Sequence, residues 1–492
     1  MNHVLTIPVI FLLIILIIIH KLIFSSNHKL PPGPKPWPII GNIHLLGNKP
    51  HRSLSKLAKK YGPLISLKLG TITTIVISSP DIAKEMFTKH DLALSARQVP
   101  EAAKIADHHL YSIIFLPICP KWRGYRKIST VHLFTNQILD TSQHLRRKKV
   151  HELVEYIKCC CENNQVVEIG KAAFTTSLNL LSNTFFSFDL ASDIDFGYSI
   201  KFKNIVGELS EALAKPNLSD FFPIIKSLDL QGVKKKMEVL FTDMWDVFRK
   251  VVEERLSDNS KGLKDDVLDT LLKLVDEQEI SLDEVVHFIM DLFSAGTETT
   301  LITLEWAMTE LLRCPDKMAK AQAEIDQVID MDGSVQESDI PKLPYIQAIV
   351  KEILRLHPAT PFLVPRMAEQ EVQLCDYYVP KNAQILVNVW LIGRDPSVWS
   401  NPETFIPERF LGRDIDVKGQ DFELIPFGSG RRICPGMSLG YRMVHLMLAN
   451  LLHSFDWSLP NGLDPKDLDM EDTFGLTLRK AQPLDAVAHY RS

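Results

Sequence analysis

The segment from 427 to 436, FGSGRRICPG, limits what this chain can build more than any other stretch. It places Cys434 just before a helical pattern over 437–452. The unpaired amides and dipole of a helix N-terminus favour an anion, and Arg432 adds positive charge. The glycines let the backbone approach a flat ligand closely. A buried structural cysteine is the usual alternative, but it does not account for the surrounding residues, so the pattern predicts a metal-bound thiolate.

Composition narrows the class of protein further. The chain has 492 residues, of which 46% are hydrophobic and 23% charged, and this describes a folded globular protein. Its net charge of −5 argues against nucleic acid as a partner. The seven cysteines contain no C-x-x-C pair, which fits neither a disulfide framework nor a structural zinc site. A reducing compartment is therefore expected.

The N-terminus predicts a membrane anchor. Residues 4–19 are apolar except for Thr6 and Pro8, and 22–24 extend the run toward the roughly 20 residues that cross a bilayer. The absence of a preceding Lys or Arg and of a small-residue cleavage site disfavours a cleaved signal, and the lysines that follow place the rest of the chain in the cytosol. Five prolines within 31–38 predict a stiff linker. We predict an anchor over 1–24, a linker over 25–40 and one body over 41–492.

The body is predicted to be mainly α with small β-sheets, an α+β fold. Two short β-branched runs, 64–69 and 71–78, predict neighbouring strands. Largely helical patterns follow from 81 to about 312, and the last third mixes helices with short strands such as 385–389. A stretch rich in loops is expected around 393–435.

The most distinctive helix is predicted over 281–313. Ser281 and Glu284 have the capping-box spacing, and Cys314-Pro315 supplies a stop. Gly296 costs about 1 kcal/mol relative to alanine, and the polar cluster that follows it is costly unless its groups are satisfied. A groove or local opening explains this pattern. A helix kink with solvated polar groups explains it as well, so the residues alone leave both open.

Two further pairs share helix faces. Glu352 and Arg355 are three apart, and taken alone they read as a solvated pair worth a fraction of a kcal/mol. Trp122 and Arg126 share a face within the basic run KWRGYRK.

Cys159-Cys160-Cys161 lacks metal-ligand spacing and is interpreted as partial core packing. His108 and His109 are interpreted as part of a surface loop or as substrate contacts.

These patterns together resemble the cytochrome P450 family, and the resemblance covers nearly the whole chain. It rests on F-x-x-G-x-R-x-C-x-G at the cysteine, A-G-T-E-T-T at 295–300, E-x-x-R at 352–355, P-E-R-F at 407–410 and W-x-x-x-R at 122–126. The resemblance implies the cytochrome P450 fold, with haem b between the long helix and the loop that carries Cys434. The thiolate of Cys434 would ligate the iron and favour O–O cleavage.

The same resemblance implies roles for other residues. Thr299 would hydrogen-bond bound dioxygen and Glu298 would help relay protons. The expected cofactor-binding residues are Trp122, Arg126, Arg366, Arg432, Phe427, Gly428 and Gly436. A buried structural network is expected from Glu352, Arg355 and Arg409. The expected substrate pocket consists of Ile114, Phe115, Phe288, Leu292, Ala295, Gly296, Phe362, Leu363, Phe474 and Leu476. Such a lining suits a small hydrophobic molecule, although ordinary core has the same pattern.

Within the family the chain is most similar to plant A-type enzymes and, among these, to the geraniol 8-hydroxylase group. This implies a monooxygenase of the endoplasmic reticulum membrane that faces the cytosol. It would use O2 and receive electrons from NADPH through NADPH-cytochrome P450 reductase, which the basic run around Trp122 would attract. The expected reaction is hydroxylation of a terpenoid alcohol such as geraniol. A diterpene or an aromatic substrate, tyrosine-derived or phenolic, is the alternative. A haem-thiolate isomerase or dehydratase and a non-catalytic haem sensor are the competing classes.

Overall fold

The structure is a computed structural model that describes residues 29–191, 196–214, 216–257, 264, 266–331 and 333–491. The predicted anchor over 1–24 and the first residues of the predicted linker lie outside the described residues. Among the helices that are described, none combines the length and the apolar character needed to cross a membrane.

Most of the described chain is helical. The α-helices are α1 (Pro50–Tyr61), α2 (Pro80–Lys89), α3 (Pro120–Ile128), α4 (Asn136–Thr141), α5 (Gln143–Glu162), α6 (Ile169–Phe186), α7 (Phe196–Ala214), α8 (Leu218–Phe221), α9 (Val233–Ser257), α10 (Val267–Asp276), α11 (Leu282–Arg313), α12 (Pro315–Asp326), α13 (Pro344–Leu356), α14 (Val389–Ile392) and α15 (Met437–Ser454). A 3-10 segment covers Glu101–Leu110. The predicted mainly α fold class is confirmed.

The strands are short and form small sheets. They are β1 (Leu64–Leu69), β2 (Ile72–Ile77), β3 (Ala96–Arg97), β4 (Val167–Glu168), β5 (Arg366–Met367), β6 (Val372–Leu374), β7 (Tyr377–Val379), β8 (Gln384–Val387), β9 (Phe455–Ser458), β10 (Asp472–Phe474), β11 (Leu478–Lys480) and β12 (Asp485–Tyr490). The largest sheet has the order β1-β2-β8-β5-β3, and a second has the order β4-β12-β9. Two hairpins, β6-β7 and β10-β11, complete the set in the described part of the chain.

The hairpin that opens the largest sheet follows from its sequence. β1 and β2 are rich in β-branched residues and pair antiparallel, with Leu69 opposite Ile72. Gly70 in the connecting turn has a φ of 55°, which glycine adopts without strain. A Cβ at Gly70 would lie 2.6 Å from the carbonyl oxygen of Phe221, so any other residue would also clash.

Helix α11 forms the centre of the fold. The predicted capping box is present: the amide of Glu284 donates to Ser281 Oγ (3.2 Å), and the amide of Ser281 donates to Glu284 Oε2 (2.7 Å). Helices α6, α9 and α15 pack around α11. Its buried aliphatic and aromatic side chains belong to the main hydrophobic core. The helix therefore crosses the interior, and many of its polar residues are buried and can face internal cavities.

One boundary differs from the prediction. The strand expected over 385–389 ends at Val387, because the side chain of Asn388 accepts a hydrogen bond from the amide of Leu391 (3.1 Å) and caps α14. The cap turns the chain, so Val389 is the first residue of a helix.

Candidate functional site

The loop before α15 holds Cys434 at the N-terminus of that helix. The amide of Cys434 donates to the carbonyl of Phe427 (3.0 Å), which closes the loop. Gly428 and Gly430 have φ values of 73° and 67°, the left-handed region that glycine favours. Burial raises the pKa of the Cys434 thiol, while the amides of Gly436 and Met437 and the charge of Arg126 act in the opposite direction. These donors stabilise a thiolate there, as metal ligation requires.

Cys434 lies in the wall of a cavity of about 1360 Å³, including the space at its mouth. Helix α11 forms another wall. The lining from α11 is Asp291, Leu292, Ala295, Thr299, Thr300 and Thr303, and the cysteine loop and α15 contribute Phe427, Gly428, Pro435, Gly440, Tyr441 and Val444. The cysteine segment 427–436 and the A-G-T-E-T-T motif of α11 were expected at one site, and the structure brings them together.

One end of this cavity carries four buried or half-buried arginines: Arg97, Arg126, Arg366 and Arg432. Burial and mutual repulsion lower the pKa of Arg97 well below its usual range, and they lower the pKa of Arg432 to about 10. Arg366 pairs with Asp91 (3.0 Å). Within the described chain, Nη1 of Arg432 is buried without a hydrogen-bond partner. The cluster therefore has an excess of positive charge and an unmet donor.

This excess fits an anionic ligand with several acceptor oxygens, because buried cations are costly unless they are paired. The two propionates of haem are such acceptors, and Cys434 lines the same cavity. The indole of Trp122 contacts two of the cations, with Arg432 and Arg126 at 4.7 Å and 5.7 Å from its ring. Its Nε1 donates to the carbonyl of Ile113 (3.1 Å). The residues present fit haem.

The seven expected cofactor-binding residues fall into two groups. Trp122, Arg126, Arg366, Arg432, Phe427 and Gly428 line the cavity. Gly436 is not among the lining residues and contributes its amide to Cys434 instead. Arg126 Nη1 donates to the carbonyl of Ile433 (2.8 Å), which ties α3 to the cysteine loop.

Sequence reasoning missed Arg97, although it belongs to the same cluster. Strands β3 and β5 pair with Arg97 directly opposite Arg366, which places the two guanidinium groups side by side. Arg97 also donates to the carbonyl of Ile114 (3.2 Å). A single arginine in a two-residue strand has no local signature, so only the strand register could have found it.

The two predicted catalytic residues lie on different sides of α11. Thr299 lines the cavity, and its Oγ1 donates to the carbonyl of Ala295 (2.8 Å). Glu298 is buried outside the lining, with Arg479 Nε 3.7 Å from its carboxylate. Burial raises the pKa of Glu298 to about 7, against the opposing influence of Arg479 and of the hydroxyls of Thr477 and Ser210.

The expected substrate residues divide between two adjoining cavities. Ile114, Leu292 and Ala295 line the first cavity, and Leu363 lines both. Phe115, Phe362, Phe474 and Leu476 line a second cavity of about 1100 Å³. Both cavities share Leu363 and Val364, and the lining of each is mainly apolar.

Two expected pocket residues line neither cavity. A Cβ at Gly296 would lie 3.0 Å from Leu181 Cδ1, so this glycine accommodates the packing of α6 on α11. Phe288 is buried with its ring 5.6 Å from that of Tyr125 and packs α11 on α3. Both residues lie on faces of α11 that contact other helices.

Glu352, Arg355 and Arg409 form a buried cluster. Arg355 donates to both oxygens of Glu352 (2.6 and 2.7 Å), and Arg409 Nε donates to Oε1 of Glu352 (3.0 Å). The arginines also donate to backbone carbonyls of the loop after α14, those of Gly393, Ser400, Asn401, Pro402 and Thr404. The cluster therefore fixes an otherwise irregular loop to α13.

Comparison with known proteins agrees with this geometry. The cytochrome P450 family profile matches residues 31–484. The chain is 55% identical over 469 residues to cytochrome P450 monooxygenase 76AD131 of Lophophora williamsii, covering 94% of this chain and 93% of that protein. It is 50% identical over 469 residues to geraniol 8-hydroxylase of Swertia mussotii, covering 94% of each.

The fold is also similar to a solved structure. A zebra fish cytochrome P450 with abiraterone matches with a TM-score of 0.75 and 26% identity, covering 90% of this chain and 100% of that chain. The family resemblance predicted from the motifs is thereby confirmed. With a haem-thiolate cavity and matches over almost its full length, this chain belongs to the cytochrome P450 family.

Proposed function

We propose that this monooxygenase hydroxylates a terpenoid alcohol and that geraniol is a substrate. The observation that carries the proposal is the pair of adjoining, mainly apolar cavities that meet at Leu363 and Val364 beside the haem site. Such a lining suits a small hydrophobic molecule with few polar groups. The name of the geraniol 8-hydroxylase relative supports the choice of geraniol.

The cofactor is haem b, which supplies the oxygen-activating chemistry when it is bound. Cys434 provides the thiolate ligand from the N-terminus of α15. Arg97, Arg126, Arg366 and Arg432 supply the positive charge that pairs the propionates. Ala295 leaves space in the α11 wall, and the aliphatic lining excludes water from the reacting carbon. The proposed role of Thr299 is to hold a proton at Oγ1 within this wall, with Glu298 as the neighbouring proton source.

The direct test of geraniol as substrate is product analysis in reductase-supported microsomes. Incubation with geraniol and NADPH is expected to give a product heavier by one oxygen atom and absent without NADPH. A haem-loaded protein that reduces with NADPH yet leaves geraniol unchanged would exclude geraniol. Parallel incubations with a diterpene and with a phenolic compound distinguish the other substrate classes.

Replacing Thr299 with alanine is expected to uncouple the reaction. The substitution removes the one hydroxyl that this residue presents to the cavity. Positioned proton donors contribute about 10²–10⁴-fold to a rate, so product should fall at least about tenfold while NADPH consumption continues and hydrogen peroxide accumulates. Thr303→Ala, one turn further along the same cavity wall, is the control. Unchanged product from Thr299→Ala would contradict the proton role.

Replacing Arg432 with methionine is expected to weaken haem retention more than it destabilises the haem-free protein. The guanidinium is buried among like charges and its Nη1 has no partner, so its removal relieves repulsion when haem is absent. This relief offsets part of the loss of its hydrogen bonds to the carbonyls of Ser95 and Leu116. Removing one charge-assisted pair corresponds to about tenfold or more in affinity. Haem transfer to apomyoglobin measures the loss rate, and thermal unfolding measures stability. An unchanged transfer rate would remove Arg432 from the propionate site.

A redox partner and a hydrophobic substrate follow from membership of the family. The proposed partner is NADPH-cytochrome P450 reductase. Arg123 and Lys127 support this choice because they are exposed on α3, the helix bonded to the cysteine loop through Arg126, and would attract an acidic protein.

The proposed location is the endoplasmic reticulum membrane, with residues 1–24 as anchor, 25–40 as linker and 41–492 in the cytosol. The apolar run over 4–19 and the lysines after it support this arrangement. Deletion of residues 1–24 is expected to move most of the protein from the membrane pellet to the supernatant. Continued tight sedimentation of the truncated protein would show that another surface binds the membrane.

A further inference from the structure

The segment Glu101–Leu110 has an unusual backbone conformation just before His108. Its backbone turns left-handed at Ala106 and Asp107, with φ values of 47° and 55°. Residues with a Cβ adopt this conformation only at a cost. The turn directs the next side chain, His108, inward, where it is largely buried against α11. Contacts of His108 must therefore offset the cost of the turn.

His108 contacts two polar residues of α11. Its Nε2 lies 3.0 Å from Asp291 Oδ1, and its Nδ1 lies 2.8 Å from His287 Nδ1. Ser112 Oγ donates to Asp291 Oδ2 (2.7 Å). Both oxygens of a buried carboxylate are therefore bonded to one short segment of chain. We call His108, Ser112 and Asp291 the clasp.

The protons of the clasp can be assigned. Burial and the neighbouring His108 lower the pKa of His287 to about 4, so His287 is neutral at physiological pH. The carboxylate of Asp291 accepts a hydrogen bond from the Nε2–H group of His108. The contact between the Nδ1 atoms of His108 and His287 then holds one proton, which one ring donates to the other. The ring of Phe241 packs on His108 at 5.3 Å, and that of Trp245 packs on His287 at 4.6 Å. Each polar atom of the clasp thus has a partner.

The clasp is connected directly to the cavity walls. Ser112 Oγ also accepts hydrogen bonds from the amides of Ile114 (3.1 Å) and Phe115 (3.4 Å). Ile114 lines the first cavity and Phe115 the second. Asp291 itself lines the first cavity. One buried carboxylate therefore fixes the part of both walls that residues 113–115 form.

We propose that His108, Ser112 and Asp291 are positioning residues that hold segment 108–116 on α11 and thereby set the shape of the substrate cavity. The effect on substrate rests on the proposed function, whereas the effect on the segment does not. Asp291 is buried and the side chain of His108 is largely buried, and charge-assisted hydrogen bonds between buried groups are stronger than neutral bonds at the surface. Loss of either partner therefore releases the wall. The same segment accepts hydrogen bonds from Trp122, Arg97 and Arg432 through the carbonyls of Ile113, Ile114 and Leu116, so the variants are compared at equal haem content.

The test uses the haem-loaded full-length enzyme and its variants His108→Phe, Ser112→Ala, Asp291→Asn and the His108→Phe/Asp291→Asn double variant. His109→Phe is the matched control, because it makes the same change one residue away, where no described hydrogen bond is lost. Amide hydrogen exchange over 108–116 is measured without substrate. We expect exchange about tenfold or more faster in each single clasp variant and unchanged in His109→Phe. Unchanged exchange in both His108→Phe and Asp291→Asn would overturn the clasp.

The second readout is turnover of geraniol. Clasp variants are expected to raise KM and alter the ratio of oxidation products, with little loss of kcat per bound haem. The double variant is expected to resemble the single ones. Additive effects in the double variant would mean that Asp291 contacts substrate independently of His108, which would overturn the positioning role. Faster exchange with unchanged KM and products would overturn the link to cavity shape. If the wild-type enzyme does not oxidise geraniol, the proposed substrate is wrong, and hydrogen exchange still decides the clasp.

Discussion

Replacing Cys434 with alanine is expected to abolish both the thiolate-type carbon monoxide spectrum and NADPH-dependent product formation. Cys434 is the only cysteine that lines the haem cavity in the described chain. At the N-terminus of α15 the amides of Gly436 and Met437 and the charge of Arg126 favour the thiolate, against the burial that raises the pKa of the free thiol. A thiolate ligand supplies the electron density that favours O–O cleavage, so no neighbouring residue can replace it.

The control for this prediction is Cys159→Ala. Cys159 is exposed on α5, and alanine is a good helix former, so this variant should keep both the spectrum and the activity. The measurements are the difference spectrum of the reduced carbon monoxide complex and product formation at equal protein concentration. A normal thiolate spectrum from Cys434→Ala would contradict the ligand assignment.

Replacing Arg355 with alanine is expected to prevent accumulation of folded enzyme. Both Arg355 and Glu352 have no exposed side-chain surface. Removing one partner of a buried pair leaves an uncompensated charge and typically costs about 3–5 kcal/mol. The backbone carbonyls of Gly393 and Pro402 also lose the donor that Arg355 provides, and that of Thr404 keeps only Arg409. The expected loss is a large fraction of the stability of an ordinary domain, which is about 5–15 kcal/mol.

Arg249→Ala is the matched control, because Arg249 and Glu253 also form an arginine–glutamate pair, at 2.8 Å, but both side chains are more than half exposed. Exposed pairs contribute about 0–1 kcal/mol, so this variant should unfold within about 1 kcal/mol of the wild type. Chemical unfolding measures the stability of the two variants, and the yield of haem-bound protein measures how much folded enzyme accumulates. Equal stability of the two variants would show that the buried cluster is not a structural element.

The sequence predicted the elements whose signals are local. The capping box of Ser281 and Glu284, the stop at Pro315 and the strands around Gly70 each depend on residues close together in the chain. The end of β8 was missed because Asn388 reads as a strand neighbour until its side chain is seen to cap α14. Boundaries of this kind depend on one hydrogen bond.

The site was predictable to the extent that family motifs mark it. Cys434 and Thr299 line one cavity, as expected, and the E-x-x-R pair is buried although its residues alone suggested a solvated pair. Arg97 and Asp91 were missed because their partners are distant in sequence and meet only through strand register and loop packing. The carboxylate of Asp91 pairs with both Arg366 and Arg431.

The rotation of α11 about its axis could not be predicted from the spacing of its residues. Leu292 and Ala295 face the cavity, whereas Gly296 packs on Leu181 and Phe288 packs on Tyr125. An apolar face that lines a cavity and one that contacts another helix have the same sequence pattern. The interpretation of His108 was left open for the same reason, since its partners His287 and Asp291 lie about 180 residues away.

The most direct test of a haem-thiolate monooxygenase with this cavity is oxygen-isotope labelling. Purified enzyme, reductase, NADPH and geraniol are incubated under ¹⁸O2 in ordinary water, and the product is analysed by mass spectrometry. The account predicts that the new hydroxyl contains one ¹⁸O atom and that Cys434→Ala gives no such product. A product whose oxygen comes from water, or one that forms equally well without NADPH, would contradict it.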